Sequence, residues 1–250
     1  MTTRPSIVVI TATLNARHVL PRLVTSLQAQ TDRDFEWFVA DGGSTDGTQA
    51  LVQGLQGLSV RLFEAQDFGI YDALNRAISR IDNGYYLVIG ADDVLFKNAV
   101  ADFRACAIAA RLPDFVAAGI RQDGRIVPAR RGLGWLYGMP GEASSHSVGL
   151  LIKRSCHDRF GLYSRHFPIA ADQFFVKTAL RHGATIARID EVVGEFGIDG
   201  TSGSDSLGLL TELFRVQVRT ERWVALQYLI FAARLSKYYV KSVLAGRAGR

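Results

Sequence analysis

Tyr85-Tyr86-Leu87-Val88-Ile89-Gly90-Ala91-Asp92-Asp93 is an apolar run that ends, two residues on, in adjacent carboxylates. The run reads as a strand buried on both faces. The acids then stand at its carboxyl end, the edge where ligands meet an open α/β sheet. Two carboxylates held together there repel unless a cation joins them, and a divalent ion bridging to a phosphate does so. The pair points to an enzyme that handles a metal–nucleotide complex. A second reading is a polar turn capping a helix that begins near Lys97.

Upstream of this strand the same grammar repeats. Ser6 to Ala12 is a near-continuous apolar run, and Val19, Leu20, Leu23, Val24 and Leu27 then fall on one helical side. Phe35 to Ala40 predicts a strand, Thr48 to Leu55 a helix, Val60 to Phe63 a strand and Ile70 to Ile81 a helix. With Tyr85 to Ile89 this is a βαβαβαβ series, which predicts a doubly wound, mainly parallel sheet. The following half is less regular. Phe115 to Ile120, Gly124 to Val127, Val148 to Ile152 and Ala184 to Ile189 read as strands, Ala171 to Arg181 as a helix, and Gly132 to Gly141 and Gly197 to Gly203 as loops. From Leu207 to about Leu244 the pattern is helical.

With 250 residues, 48% hydrophobic and 21% charged, the chain has enough apolar material for a full core. Cys106 and Cys156 make no disulfide framework and no zinc spacing, so a reducing, cytoplasmic setting is the expectation. The N-terminus lacks the layout of a signal peptide, and no apolar stretch reaches the roughly 18–20 residues a spanning helix needs. Residues 211–250 carry eight basic groups against Glu212 and Glu221, net +6, while the other 210 residues hold 21 basic and 22 acidic groups. A neutral core argues against nucleic acid as a partner, and the basic tail suits an anionic surface.

The first two strands end in Thr11-Ala12-Thr13-Leu14-Asn15 and in Asp41-Gly42-Gly43-Ser44-Thr45-Asp46-Gly47-Thr48, at the same edge as the acid pair. Asp41 there suits a base N–H or a ribose hydroxyl, and glycines let backbone approach a flat ligand. Turning the chain and capping a helix is the other reading of this segment.

These two segments, with Asp67-Phe68-Gly69-Ile70-Tyr71-Asp72-Ala73-Leu74-Asn75 and Gly90-Ala91-Asp92-Asp93, resemble family 2 glycosyltransferases of the bacterial cell-surface polysaccharide and glycolipid branch. The resemblance spans about residues 6–200. It implies a GT-A fold: an α/β, doubly wound, mainly parallel sheet, residues 1–96 binding a nucleotide sugar and 97–206 forming an irregular acceptor side, with a basic helical tail over 207–250. It also implies inverting transfer of a hexosyl or N-acetylhexosaminyl group from a nucleotide-diphosphate donor, a UDP-sugar by preference, with Mn²⁺ or Mg²⁺. Asp93 is then the metal ligand, with Asp92 on the metal shell or the ribose. Thr11, Thr13, Asn15, Asp41, Asp67, Tyr71, Asp72 and Asn75 line the donor. Two positions depart from the family: Gly90 replaces the first acid of its acid-x-acid motif, and Gly42 a frequent second acid after Asp41.

Inverting transfer also needs a base facing the departing diphosphate, to take the proton of the attacking hydroxyl. Asp172, in Ile169-Ala170-Ala171-Asp172-Gln173-Phe174-Phe175, matches the family's acceptor-side acid, and also reads as the N-cap of the next helix. His146 matches a recurrent acceptor-side histidine, equally readable as structural. Arg130 and Arg131 either reach phosphate or are solvated. Gly197 to Ser204 reads as a loop closing over donor or as a linker. Family acceptors are often glycans or polyprenyl-linked sugars. An aromatic and basic tail lying on an anionic membrane would suit them, against packing on protein as the alternative. A non-catalytic nucleotide-sugar sensor is the rival function. A sugar nucleotidyltransferase is disfavoured by the lack of glycine and lysine in Thr11 to Arg17, and an oxidoreductase by the missing Gly-x-Gly-x-x-Gly.

Overall fold

A computed structural model describes residues 4–197 and 206–248 of the protein. The elements are β1 (Ile7–Thr13), α1 (Leu20–Gln28), β2 (Glu36–Asp41), α2 (Thr48–Gln53), β3 (Val60–Glu64), α3 (Ile70–Ile78), β4 (Tyr85–Val88), β5 (Val94–Leu95) and α4 (Ala99–Ala109). They continue as β6 (Phe115–Gln122), β7 (Arg125–Val127), α5 (Gly134–Tyr137), β8 (Leu150–Lys153), α6 (Cys156–Phe160), α7 (Ala171–Arg181), β9 (Ile186–Glu195), α8 (Ser206–Thr220) and α9 (Val224–Ala248).

Among the described residues the strands form one sheet in the order β3-β2-β1-β4-β8-β6-β9-β5, with β7 on β6. The expected βαβαβαβ unit is its parallel half, β3-β2-β1-β4. The chain moves from β1 to β2 and β3 on one side, then returns to place β4 on the other. That reversal opens a crevice at the carboxyl ends of β1 and β4. Register sets Thr13 beside Asp41, so the loops after β1 and β2 meet. In the second half β8 runs antiparallel between β4 and β6, and β9 runs parallel to β6.

Alternation along β1 explains why a continuous apolar run was needed. Ile7 and Val9 face α1 and α4, among Leu20, Leu23, Leu27, Val100 and Phe103. Val8 and Ile10 face α3 and α7, among Leu74, Ala77, Ile78, Phe175 and Val176. Both faces are covered, as parallel sheets require.

Several expectations are corrected. The segment after Asp93 forms β5 and then α4, whose N-cap is Asn98 without a side-chain bond, so neither aspartate caps that helix. The 132–141 stretch contains α5, and β9 runs on to Glu195, through an irregular register near Gly119. The tail is two helices, broken at residues 221–223. The division expected after 206 is not one in packing, because α8 buries Val216 in the main core. Glu221, just beyond α8, pairs with the fully buried Lys177 of α7 at 2.5 Å and with Arg181. Of α9, the side with Gln227, Phe231 and Arg234 packs inward, Phe231 stacking on Phe214 and Arg234 bonding the Leu136 carbonyl. Residues 198–205, which hold most of the expected Gly197 to Ser204 closing loop, lie outside the described residues.

Candidate active site

The acid pair divides into two unlike carboxylates. Asp93 is buried, and both its oxygens are taken: Oδ2 accepts from the Gly90 amide at 2.7 Å and Oδ1 from the Gly197 amide at 2.8 Å. Burial pushes its carboxyl up to about 7, against those two amides and with a further push from the Asp92 charge. Asp92 is half-buried, and its Oδ2 is enclosed without a hydrogen-bond partner. The two acids therefore differ in the bonds they already make. Asp93 ties the end of β4 to the segment after β9, and Asp92 holds the free oxygen. Crowding explains Gly90: a Cβ there would stand 2.9 Å from Asp93 Oδ2 and 3.1 Å from Asp92 Oδ1. At Gly197 a Cβ would come within 2.5 Å of Asp92 Oδ2.

Among the described residues there is no cluster of three or more histidine, cysteine or acidic side chains that could hold a metal ion. One unpaired carboxylate oxygen still fits Mn²⁺ or Mg²⁺, because such ions bind nucleotide enzymes through one or two carboxylates plus the substrate's phosphates.

Asp41, a residue expected to meet the base, is buried and accepts five bonds, from Thr13 Oγ1 (2.8 Å), the Gly43 amide (3.1 Å), the Ser44 amide (2.8 Å) and hydroxyl (2.6 Å), and Gln49 (2.8 Å). Burial raises its pKa, but the bonds from Ser44, Gln49 and Thr13 outweigh it and hold the carboxyl below the usual range. Its work is to shape the 42–48 loop. Thr11 is likewise turned inward by strand alternation, accepting the Trp37 indole N–H at 3.0 Å, and Thr13 is spent on Asp41. Asn15, at φ 52°, joins the two loops by donating its amide to Ser44 Oγ (2.8 Å) and accepting the Thr45 amide (2.9 Å). Asn75 is also structural: it brackets the backbone of Tyr163, at 2.9 and 3.0 Å. Asp72 pairs with Arg165 at 2.7 Å.

Asp67 lies against the β2 loop, where a Cβ on Gly42 would fall 2.7 Å from its Oδ2. The glycine at 42 makes room for the acid at 67. Phe68 stands 91% exposed beside it, an aromatic face that reasoning from the sequence did not single out.

Asp172 sits in the first turn of α7. The helix begins two residues earlier than its reading as N-cap requires, with Ala170 as N-cap. The hydroxyl of Tyr71, a residue expected on the donor, reaches Asp172: it is 2.8 Å from Oδ1 and 2.9 Å from the Ile169 carbonyl. Burial raises the Asp172 carboxyl, opposed by the Tyr71 hydroxyl, His146 and the amides of Gln173 and Asp172. Behind Tyr71, Tyr163 and Tyr86 bond at 3.0 Å and Tyr86 bonds His157 at 2.6 Å, a buried polar network that fixes the wall.

His146 links the two sides. Burial pulls its imidazole down to about 4, while Asp172 and Asp92 both pull it up, so both carboxylates lie within its electrostatic reach. It packs on Phe196, rings 4.0 Å apart, next to Gly197. Its Nδ1 accepts the Val148 amide, which leaves the proton of the neutral ring on Nε2. Arg130 and Arg131 are exposed and make no hydrogen bond or ion pair with these groups; Arg130 lies over Tyr137 at 5.4 Å.

Comparison with known proteins identifies the family and the fold. The profile described as Glycosyl transferase family 2 matches residues 8–134. A PGL/p-HBAD biosynthesis glycosyltransferase of Mycobacterium bovis is 36% identical over 96 residues, covering 37% of this chain and only 38% of that relative. S. aureus TarS 1–349 in complex with UDP-GlcNAc superposes with TM-score 0.67 at 18% identity, over 94% of this chain and 73% of that one. The mannosyltransferase PcManGT of Pyrobaculum calidifontis, in complex with GDP-Man and Mn²⁺, gives TM-score 0.68 at 19% identity, over 99% and 81%. At these identities the two structures show the fold, which is GT-A. The parallel half-sheet, the acid pair at its edge and the profile match together place the chain in glycosyltransferase family 2.

Proposed function

We propose that this chain is a metal-dependent inverting glycosyltransferase, moving a hexosyl or N-acetylhexosaminyl group from a nucleotide-diphosphate donor to a hydroxyl of a glycan or lipid-linked acceptor. One observation carries the reading. Tyr71 of α3 meets the buried carboxylate of Asp172 at 2.8 Å, and both Asp172 and Asp92, whose Oδ2 is unpaired, lie within electrostatic reach of His146. A base poised above the ordinary carboxylate range is suited to take a proton from a hydroxyl.

In this reading the nucleoside lies over the loops after β1, β2 and β3, with Asp67 as its polar contact and Phe68 open for stacking. Asp92 would hold Mn²⁺ or Mg²⁺, which when bound neutralises charge on the departing diphosphate. Tyr71 occupies one oxygen of Asp172 and leaves the other for the acceptor. The acceptor oxygen attacks the anomeric carbon, its proton passes to Asp172, and the bond to the diphosphate breaks with its electron pair on the leaving group. A single displacement inverts that carbon. The Nε2–H of His146 is free to steady a phosphate or acceptor oxygen. A uridine donor is favoured; the relatives' complexes with UDP-GlcNAc and GDP-Man support a nucleotide sugar in either case.

Helix α9 supports a peripheral place on the inner face of the cytoplasmic membrane. Among the described residues no helix is long and apolar enough to cross a membrane. Yet Trp223, Tyr228, Leu229, Tyr239 and Val240 are exposed on a segment that carries no acid after Glu221. Such a helix suits an anionic interface and an acceptor carried there on lipid.

The test is transfer by Asp172→Asn with a panel of nucleotide sugars. Loss of transfer by about 10²–10⁴-fold, with nucleotide binding kept, is expected for a base. Full transfer by the variant, or no nucleotide binding by the wild type, would sink the reading.

A further inference from the structure

We propose that Glu212 is a positioning residue for the base, a role that rests on Asp172 being that base. Helix α7 opens without a side-chain cap, at Ala170. Instead, the amides of Ile169 and Ala170 both donate to one oxygen of Glu212 on α8, at 2.9 and 2.8 Å. Glu212 is 6% exposed, so its charge is withdrawn from water and compensated by these two donors. The carbonyl of the same Ile169 faces the Tyr71 hydroxyl, which is itself bonded to Asp172. The turn just before the base is therefore gripped from two sides, by Tyr71 of α3 and by Glu212 of α8.

Helix α8 is itself well seated. Val216 lies in the core, Gln217 donates to the Gly134 and Trp135 carbonyls at 3.0 Å each, and Glu221 pairs with Lys177 farther along α7. Two acids of an otherwise basic tail thus set α7 at its start and two turns on. Loss of the carboxylate at 212 frees the 169–170 amides and lets the Tyr71–Asp172 geometry drift. A misplacement of about 1 Å at reacting groups costs about 10²-fold in rate.

The full-length chain carrying Glu212→Ala, Glu212→Gln or Val216→Ala is compared with the wild type for kcat, donor KM, thermal stability and amide hydrogen exchange at residues 169–170. Glu212→Ala is expected to lower kcat about 10- to 100-fold with donor KM within about twofold, and to speed exchange at Ile169 and Ala170. Glu212→Gln keeps an acceptor oxygen and should recover most of kcat. Val216→Ala, which touches neither amide, should lose stability but not kcat. The proposal is overturned if exchange quickens without loss of kcat, or if Val216→Ala loses kcat as much as Glu212→Ala. Full kcat in Asp172→Asn would instead overturn the base itself, and with it the role of Glu212, while the exchange result would still report on the clamp.

Discussion

The Tyr71 hydroxyl stands 2.8 Å from Asp172 Oδ1, although 101 positions separate the two residues in the chain. It joins the start of α3, within the βαβ series, to the start of α7 in the less regular half of the chain. The bond stabilises the anionic form of a carboxylate that burial pushes the other way.

Removing that bond has a definite sign. In Tyr71→Phe the carboxylate loses a donor, its pKa rises further, and less of it is ionised at any pH below the new value. The acid limb of the kcat profile should move up by about one pH unit, since a hydrogen bond to a charged group is worth about 1.5–3 kcal/mol. Nucleotide affinity should not change. An unmoved acid limb would show that Asp172 does not set it.

The unlike carboxylates at 92 and 93 should separate cleanly. Asp92→Asn is expected to abolish the extra thermal stabilisation that Mn²⁺ adds to a bound nucleotide, with the fold unharmed. Asp93→Asn replaces an acceptor of two amide bonds with a group that can satisfy only one through oxygen, and should cost about 1–3 kcal/mol of stability. Urea denaturation of both, with and without metal and nucleotide, reads the two effects apart.

Restoring the acid missing from the motif should harm the protein. A side chain in Gly90→Asp begins 2.9 Å from Asp93 Oδ2 and brings a third negative charge to the pair. Lower stability and no gain in metal-dependent nucleotide binding are expected by thermal shift.

His157 predicts how stability responds to acid. It is buried, its imidazole is pulled down to about 4 by burial, and its neutral ring takes part in the bond to Tyr86. The unfolded chain takes up this proton near the ordinary value of about 6.5, the native state only near 4. Stability from this group is complete above about 6.5 and is lost as pH falls towards 4, by about 3 kcal/mol. Chemical denaturation between pH 7 and 4 should show the loss, and His157→Gln should flatten that part of the curve.

The exposed side of α9 can be tested without disturbing its packed side. Changing Leu229, Tyr239 and Val240, with Trp223 just before the helix, to serine should leave nucleotide binding intact and sharply reduce sedimentation with vesicles rich in anionic lipid. Removing residues 211–250 is a poorer experiment, since it also takes away Glu212 and Glu221. Unchanged sedimentation of the four-serine variant would direct attention to protein packing instead.

The parallel half of the sheet was legible because its signal is local. Strands covered on both faces must be apolar throughout, and Ser6 to Ala12 and Tyr85 to Ile89 show it without reference to anything else. The short α5 and α6 and the two-residue β5 carry too little periodicity to be seen. Acids at strand ends could be named, but not what each one does. Asp41, Asp92 and Asp93 look alike in a sequence. Their surroundings differ because backbone amides from Gly43, Ser44, Gly90 and Gly197 bond two of them and leave an oxygen of the third unpaired.

By itself, then, the sequence determined the fold class and the edge of the sheet where the aspartates gather, because strand periodicity and strand-end acids are encoded within a few consecutive residues. Only the tertiary structure decided that Asp92 rather than Asp93 keeps an oxygen without a partner, that Tyr71 bonds Asp172, and that Glu212 in a basic tail holds the turn just before Asp172. Those assignments depend on which hydrogen-bond donors arrive from distant segments, and no local pattern records that.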